Sequence, residues 1–371
     1  MLDPTMSVVM KVSFEDARSG RNTIAVLKLY DRRFSPSLRR TYNPSYDTDA
    51  ESAWHEYVRD GKAPALFAFL DEKRRLEEDE GQLIDTDSET DPSSSEDDWD
   101  RDSAAKPGGR KRKQRKFRTP AEMREKKGKR ERIVQWKALD LFNCETRAYA
   151  ELAHLQERYI PNLLAQVHLT IATPPPSPSS FPSPDQPTTS PPHNPPEDPY
   201  FQIPGILLSF IPGFNLTSLP STPLPHSSYL PIIQSAVTAA RHINDAGVIN
   251  TDCQPRNIIV HKKTLQPFHI DFAQCLFARD MGWQEFGETK RRLDNQGAIG
   301  AVMVAKVRRA GVRVGEVRYD RRDWGLLGRW AGRVEMRMGG GSWLGAIGVG
   351  VGVGVVAWAV ARGGVGLKGW V

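Results

Sequence analysis

The chain has 371 residues, of which 39% are hydrophobic, and its 28 prolines and 30 glycines are bunched in a few stretches. This composition excludes several fully packed modules, so we expect one globular domain interrupted by disordered inserts. The net charge of +6 averages two blocks of opposite sign and does not predict a nucleic-acid partner. The spacing of Cys144, Cys253 and Cys275 disfavours a zinc site or a disulfide scaffold and is typical of a reducing, intracellular compartment.

An antiparallel hairpin is the first predicted structure. Met6–Phe14 and Ile24–Tyr30 are apolar and β-branched, and a hydrophilic stretch separates them. Lys28 lies inside the second strand, which is otherwise apolar. A lysine there is either a solvated edge-strand residue or a functional cation. We assign residues 1–34 to strands of a small N-terminal sheet.

A long charged segment follows. Asp71–Asp102 contains 15 acidic and 4 basic residues, and Lys106–Arg132 contains 14 basic and 3 acidic residues. Such blocks bury too little apolar surface to offset the entropy of the ordered chain, so we predict a disordered insert over 35–132, with one short helix within Tyr46–Leu70. The run Arg110–Lys116 is either a nuclear-import signal or a solvated block that balances the acidic stretch.

Order returns in the middle of the chain. Apolar residues at helical spacing predict a helix from Ile133, and a strand follows, so we assign 133–172 to a helix and strand of the N-terminal lobe. Residues 173–199 are rich in proline and serine and predict a flexible spacer. Residues 200–324 then contain a buried strand at Ile206–Ile211 and the segment that carries most of the chemical information.

That segment is Gly247–Phe272. Asp252 is followed five residues later by Asn257, then by two short strands, and the second strand ends on Asp271. Two carboxylates and an amide at the ends of a hairpin can hold Mg²⁺, which prefers oxygen ligands, and can orient an attacking hydroxyl. Aspartate and asparagine also favour turns, which is the alternative explanation of these residues.

This arrangement resembles the catalytic loop and metal-binding motif of protein kinases and of their aminoglycoside- and choline-kinase-like relatives. The amino-acid sequence from Gly247 through Pro255-Arg256-Asn257 to Ile270-Asp271-Phe272 is also similar to that of kinase-like proteins of fungi. The resemblance implies an α+β, two-lobed protein-kinase-like fold. It implies that Asp252 is the catalytic carboxylate and that Asn257 and Asp271 are Mg²⁺ ligands.

The resemblance also implies roles for residues outside the loop. Lys28 would contact the ATP phosphates, and Glu145 would be its ion-pair partner, with Glu151 as the alternative. Leu207–Gly213 would form the hinge strand, in which Leu208 and Phe210 border the adenine. The expected cofactors are therefore ATP and Mg²⁺.

Several features depart from the family pattern. No glycine-rich loop precedes Lys28, so the N-terminal lobe is expected to lack its first strand and the loop that covers the phosphates. Asn250 and Thr251 replace the histidine and arginine of the catalytic loop, and Ala273 replaces a common glycine. Without that arginine, the phosphate group of a phosphorylated activation loop would have no cationic side chain in the catalytic loop to bind it.

The sequence therefore predicts an ATP- and Mg²⁺-dependent phosphotransferase that acts on a hydroxyl group of a protein or a small molecule. The alternative is a pseudokinase or scaffold that binds partners through its charged inserts. Nucleotide is the expected ligand, and nucleic acid is not expected to be a partner.

The C-terminal part, 325–371, is rich in glycine, arginine and tryptophan. Residues 342–361 are uncharged and apolar over the length that a membrane-spanning helix needs, with Trp343 and Trp358 near the ends. A tail-anchored membrane protein is thus a third hypothesis beside a cytoplasmic or nuclear one. The repeated Gly-Val pairs weaken the helix and count against the membrane span.

Overall fold

The computed structural model describes residues 7–16, 20–42, 46–79, 119–170 and 199–319. They form two compact units, one with residues 7–35, 138–170 and 199–319 and the other with residues 36–79 and 119–137. The chain combines helices with small antiparallel sheets, which is an α+β architecture. The strands are β1 (Val8–Asp16), β2 (Arg21–Leu29), β3 (Leu163–Thr170), β4 (Gln202–Ser209), β5 (Gly213–Asn215), β6 (Val248–Asn250), β7 (Ile258–His261), β8 (Pro267–His269) and β9 (Cys275–Phe277). The helices are α1 (Pro36–Tyr42), α2 (Thr48–Arg59), α3 (Lys62–Asp79), α4 (Pro120–Glu151), α5 (Tyr229–Asp245), α6 (Ala278–Met281), α7 (Trp283–Leu293) and α8 (Asn295–Arg309).

The larger unit begins with a four-stranded antiparallel sheet in the order β1-β2-β4-β3. The predicted N-terminal hairpin is confirmed as β1 and β2, paired along their whole length. Lys28 is opposite Val9 on one side and Ile206 on the other, so it lies in an inner strand and not at an edge. The edge-strand explanation of Lys28 is therefore wrong.

The remainder of this unit packs around α5 and α8. Their apolar faces meet in a core that includes Ile233, Val237, Ile299 and Met303, all nearly or fully buried. Two small sheets lie in the same unit, one in the order β5-β7-β8 and one formed by β6 and β9. The predicted strands of the Gly247–Phe272 segment are confirmed as β7 and β8. Strands β6 and β9 and the bounds of α6, α7 and α8 are not predicted from the sequence.

The second unit corrects the prediction for residues 35–132, in which one short helix within Tyr46–Leu70 is expected and the remainder is expected to be disordered. Helices α1, α2 and α3 and the first part of α4 lie within those residues. In α2 the buried residues recur at the spacing of one helix face, and they are Ala50, Ala53, Trp54, Tyr57 and Val58. The Asp47 side chain caps the helix by accepting a hydrogen bond from Ala50 N at 2.7 Å. This apolar stripe lies within the short helix that the sequence predicts for Tyr46–Leu70.

The start of α4 is also corrected, since the helix begins at Pro120 and not at Ile133. Glu122 N donates to Thr119 Oγ1 at 3.2 Å, and Thr119 N donates to Glu122 Oε2 at 2.6 Å. This reciprocal capping box satisfies two backbone donors at the helix start and lets a polar first turn begin the helix.

Several predictions concern residues that the structure does not describe. They are the charged blocks within 80–118, the proline- and serine-rich tract up to residue 198, and the tail from residue 325 with its apolar stretch 342–361. Among the residues that are described, no helix is long and apolar enough to cross a membrane.

Candidate functional site

The centre of the candidate site is the Lys28 ammonium group. Lys28 Nζ donates to Glu145 Oε2 at 2.5 Å and to Asp271 Oδ1 at 2.7 Å. The lysine is only 6% exposed. Burial lowers the pKa of Lys28, but the charges of Glu145 and Asp271 outweigh it, and the net pKa lies above the ordinary lysine value. Lys28 is therefore charged at neutral pH.

Three hydrogen-bond donors from other parts of the chain fix the Glu145 side chain. Helix α4 carries it into the core, where its side chain is fully buried. Besides Lys28, it accepts hydrogen bonds from the Tyr30 hydroxyl and, at 3.2 Å, from Phe272 N. A buried carboxylate with these donors has its position fixed by the surrounding structure.

Asp271 lies in the loop two residues after β8 and has a left-handed backbone conformation, with φ of 65°. A non-glycine residue seldom adopts this conformation, and such residues cluster at functional sites. Burial raises the pKa of Asp271, but the charge and hydrogen bond of Lys28 outweigh that effect and lower it. Its side chain remains 39% exposed, so the carboxylate is ionised and can be reached from solvent.

Asp252 occupies the loop between β6 and β7. Asn257 Nδ2 donates to Asp252 Oδ2 at 2.9 Å, so the structure brings these two residues together. Gln254 Nε2 donates to Asp252 Oδ1 at 2.7 Å. Arg256 Nη2 reaches both carboxylate oxygens, at 2.9 and 3.0 Å. The Asp252 carboxylate is therefore oriented by an asparagine, a glutamine and an arginine of its own loop.

Backbone and amide hydrogen bonds connect Asp252 to Asp271. Asn250 accepts from Asp252 N at 2.9 Å through Oδ1 and donates to Asp271 O at 2.8 Å through Nδ2. Ile270 N also donates to Asn257 O at 2.9 Å. The two carboxylate-bearing segments thus form one hydrogen-bonded platform, and a displacement of either segment disturbs the other.

The predicted adenine-bordering residues lie on β4 and just after it. Leu208 is opposite Val26 in the sheet, and Lys28 is two residues further along the same strand as Val26, so Leu208 and Lys28 share one face. Phe210 follows the end of β4, and Lys11 Nζ lies 4.6 Å from its ring centroid. The structure thus places Leu208 on the face that carries Lys28, with Phe210 two residues beyond it.

The donor set of this platform suits a small divalent cation. Asn257 uses its amide nitrogen on Asp252, so its amide oxygen is the atom that can bind a metal. The Asp271 carboxylate is the second candidate ligand. Within the part of the chain that the structure describes, no group of three or more His, Cys, Asp or Glu side chains is arranged to hold a metal. An amide and one carboxylate fit Mg²⁺, which completes its coordination with water and phosphate oxygens.

Sequence reasoning missed several partners of these groups. Tyr30 was not proposed, although it lies two residues after Lys28 and so continues the same face of the chain. The sequence identifies Asn250 only as the replacement of a histidine, whereas the structure gives it contacts to both Asp252 and Asp271. The alternative partner Glu151 instead lies 3.5 Å from the exposed Arg279, which leaves Glu145 as the partner of Lys28.

Comparisons with known proteins add little to this geometry. No family model matches the chain. No curated protein matches it either. Among solved structures, the kinase domain of PknI from Mycobacterium tuberculosis overlaps with 55% of this chain and 81% of its own length, at 13% identity and a TM-score of 0.25. That overlap is too weak to establish a shared fold, so the functional proposal is based on the side-chain geometry.

Proposed function

We propose that the chain is a phosphotransferase of protein-kinase-like type that uses ATP and Mg²⁺ and transfers a phosphoryl group to a hydroxyl. The single observation that supports this most strongly is the buried Lys28 ammonium group between Glu145 and Asp271, at 2.5 and 2.7 Å. Protein kinases need a strand lysine paired with a helix glutamate and a metal-binding aspartate in place. The same three residue types meet here on a strand, a helix and a loop after a strand.

Burial makes a purely structural explanation of this cluster costly. Placing one ammonium and one fully buried carboxylate out of water carries a desolvation penalty, which apolar residues of similar volume would avoid. Titratable groups with perturbed pKa values in such clusters are candidates for functional sites. The exposed fraction of Asp271, 39% of its side chain, leaves one end of the cluster open to a ligand.

Each residue then has a definite task in the proposed reaction. Lys28 neutralises phosphate oxygens of the bound nucleotide, and Glu145 keeps the lysine side chain extended. Asn257 and Asp271 hold Mg²⁺, which supplies charge neutralisation at the phosphates when bound. Asp252 accepts a hydrogen bond from the acceptor hydroxyl and orients it for attack. Leu208 and Phe210 offer apolar surface to the adenine.

Nucleotide binding tests the proposal. We expect ATP with Mg²⁺, at millimolar concentration, to raise the melting temperature of the wild-type chain and not that of Asp271→Asn or Lys28→Met. Asp245→Asn is the matched control, because Asp245 also pairs with a lysine, Lys290 at 2.8 Å, but lies outside the cluster. If the wild type shows no shift, or if Asp271→Asn keeps the full shift, the proposal fails.

A second candidate, a nucleotide-binding scaffold without transfer activity, is favoured by the contacts of Asp252. Gln254, Arg256 and Asn257 all donate to its carboxylate, which reduces its capacity to accept a hydrogen bond from a substrate hydroxyl. On this hypothesis ATP binds, yet neither hydrolysis nor phosphorylation of any hydroxyl occurs.

Arg256→Ala separates the two candidates. If the enzyme hypothesis holds, Asp252 stays functional without the arginine, and slow ATP hydrolysis is measurable in both the wild type and this variant but is lost in Asp252→Asn. If ATP binds to the wild type and to Arg256→Ala while their rates of ATP hydrolysis equal the background rate of Asp252→Asn, the scaffold hypothesis holds.

A further inference from the structure

Two of the three cysteines meet beside the candidate site. Cys144 lies on α4 one residue before Glu145, and Cys275 begins β9 four residues after Asp271. Cys275 N donates to Cys144 Sγ at 3.2 Å, and Cys144 Sγ lies 3.6 Å from Cys275 O. Both thiols are free and half-buried.

These contacts bring the pair close to the arrangement of a disulfide. The Cys144 sulfur contacts both the N–H and the C=O of Cys275, and the two side chains also form a hydrogen bond with each other. Disulfides require Cβ atoms about 3.5–4.5 Å apart and Cα atoms no more than about 7 Å apart. The close approach of α4 and β9 at these residues is compatible with that limit.

The two thiols differ in reactivity. A hydrogen bond with the Cys275 side chain, and another with its backbone, lower the pKa of Cys144, whereas burial raises the pKa of Cys275. Cys144 is therefore the better nucleophile of the two, since the thiolate is the reactive form. The third cysteine, Cys253, is buried, and burial raises its pKa as well.

We infer that Cys144 and Cys275 are a dithiol pair that a hydroperoxide converts into a reversible disulfide between α4 and β9. The Cys144 sulfur, after losing its proton, attacks one peroxide oxygen, and the S–O bond forms as the O–O bond breaks. The leaving alkoxide, or hydroxide when the oxidant is hydrogen peroxide, takes that proton and becomes an alcohol or water. The Cys275 sulfur, after losing its proton, then attacks the sulfenic acid sulfur of Cys144. The S–S bond forms, and hydroxide leaves and takes that proton as water. Two thiols are oxidised and one hydroperoxide is reduced.

The position of the pair gives the disulfide a structural effect. It would hold the turn of α4 that carries Glu145 against the segment that follows Asp271. If the proposed function is right, the oxidised chain keeps Glu145 and Asp271 on either side of Lys28 and binds nucleotide at least as tightly as the reduced chain. This consequence rests on the proposed function, whereas the disulfide itself does not.

Peptide mapping of the full chain tests the inference without nucleotide. The reduced wild type is treated with hydrogen peroxide at a small molar excess, alkylated and digested without reductant. We expect a linked peptide pair containing Cys144 and Cys275, with the loss of two hydrogens, which dithiothreitol removes. The Cys253→Ser variant is the matched control and forms the same link, while Cys144→Ser and Cys275→Ser do not.

Thermal unfolding gives a second measurement, which needs only the wild type. Because the link closes a loop of more than a hundred residues, we expect the melting temperature of the oxidised chain to rise by about 5–15 °C and to return on reduction. Overoxidation of Cys144 without a linked peptide, a link through Cys253, or unreacted thiols would each overturn the inference. Failure of ATP binding would leave it intact, so the two proposals fail separately.

Discussion

Lys28 and Glu145 are 117 positions apart in the chain, yet Lys28 Nζ lies 2.5 Å from Glu145 Oε2. The lysine is 6% exposed and the glutamate fully buried. Buried ion pairs often contribute no more stability than apolar residues of the same volume. The pair is therefore better explained by the position it gives to the lysine than by the stability it adds.

Removal of only one partner of this pair should be costly. We expect Glu145→Ala to lower the free energy of unfolding by about 3–5 kcal/mol, because it leaves the Lys28 charge buried with Asp271 as its remaining carboxylate and removes the acceptor of Tyr30 and Phe272 N. Urea denaturation followed by circular dichroism measures this change.

The control uses the double replacement Lys28→Met with Glu145→Leu, which removes both charges. It should recover most of the lost stability, while Glu151→Ala, which removes an ion pair with an exposed arginine, should cost less than about 1 kcal/mol. A double variant as unstable as Glu145→Ala would show that packing, and not the unpaired charge, causes the loss.

Asn250 should affect nucleotide binding without touching the nucleotide. Asn250→Ala removes the hydrogen bonds to Asp252 N and Asp271 O, so the two carboxylate-bearing segments lose their direct side-chain bridge. We expect Mg²⁺-ATP affinity to fall about 10-fold, the scale of effect when outer partners of metal ligands are removed. Titration calorimetry measures it.

Asn143→Ala, an exposed residue of α4, is the matched control and should change the affinity less than about 2-fold. Equal affinities in Asn250→Ala and the wild type would contradict the platform described for Asp252 and Asp271.

His269 predicts a pH dependence of stability. Burial lowers the pKa of His269 from 6.5 to about 4, and its Nε2 donates to Ala236 O at 3.1 Å, so the ring is neutral in the folded chain. Between these two pKa values the unfolded chain binds a proton that the folded chain does not, so stability rises with pH. We expect the free energy of unfolding to fall by about 3 kcal/mol when the pH is lowered from 7 to 4. Denaturation curves at several pH values measure it.

His269→Gln provides the comparison, since glutamine keeps a donor but does not titrate in this range. The variant should be less stable at pH 7, and its free energy of unfolding should change less between pH 7 and pH 4. The contribution of Asp271 is lost mainly below this window, because its folded pKa is lowered from 3.8 and its stabilisation disappears as the pH falls from about that value through the folded pKa. Parallel curves for both proteins would contradict the neutral, buried state of His269.

The sequence predicts the site better than it predicts the surroundings. Lys28, Asp252, Asn257 and Asp271 carry local patterns, because strand alternation and fixed loop spacing are short-range properties of the chain. The contacts of Glu145 with Lys28 and with Phe272 N join residues 117 and 127 positions apart, and only the order of the motifs along the chain indicates them in the sequence. Tyr30 and Asn250 carry no pattern of their own and become visible only through their partners.

The helices within 36–79 show a different limit. The apolar stripe of α2, Ala50, Trp54 and Val58, agrees with the short helix predicted within Tyr46–Leu70, but the charged composition of the longer segment hides α1 and the start of α4. Burial depends on the face of a helix and not on average hydrophobicity, so a window of one helix length is the correct scale for this question.

Gly205 lets the sheet close around the Lys28 strand. Gly205 is opposite Leu29 in β2 and Val167 in β3, and an added Cβ would lie 2.7 Å from Lys28 O and 2.7 Å from Leu29 Cδ2. Because the backbone oxygen cannot move without breaking the pairing, we expect Gly205→Ala to lower the free energy of unfolding by about 2 kcal/mol.

Gly287 in α7 is the matched control, because a Cβ added there would have only Arg291 Nη1 nearby, at 3.8 Å. Gly287→Ala should therefore stabilise the chain by about 0.5–1 kcal/mol, through helix propensity alone. The two variants differ from the wild type by the same methyl group and are expected to shift the urea midpoint in opposite directions. If Gly205→Ala stabilised the chain, strands β2, β4 and β3 would have to move apart more easily than their contacts indicate. The position of the Lys28 ammonium group would then depend on its two carboxylate partners and not on the sheet.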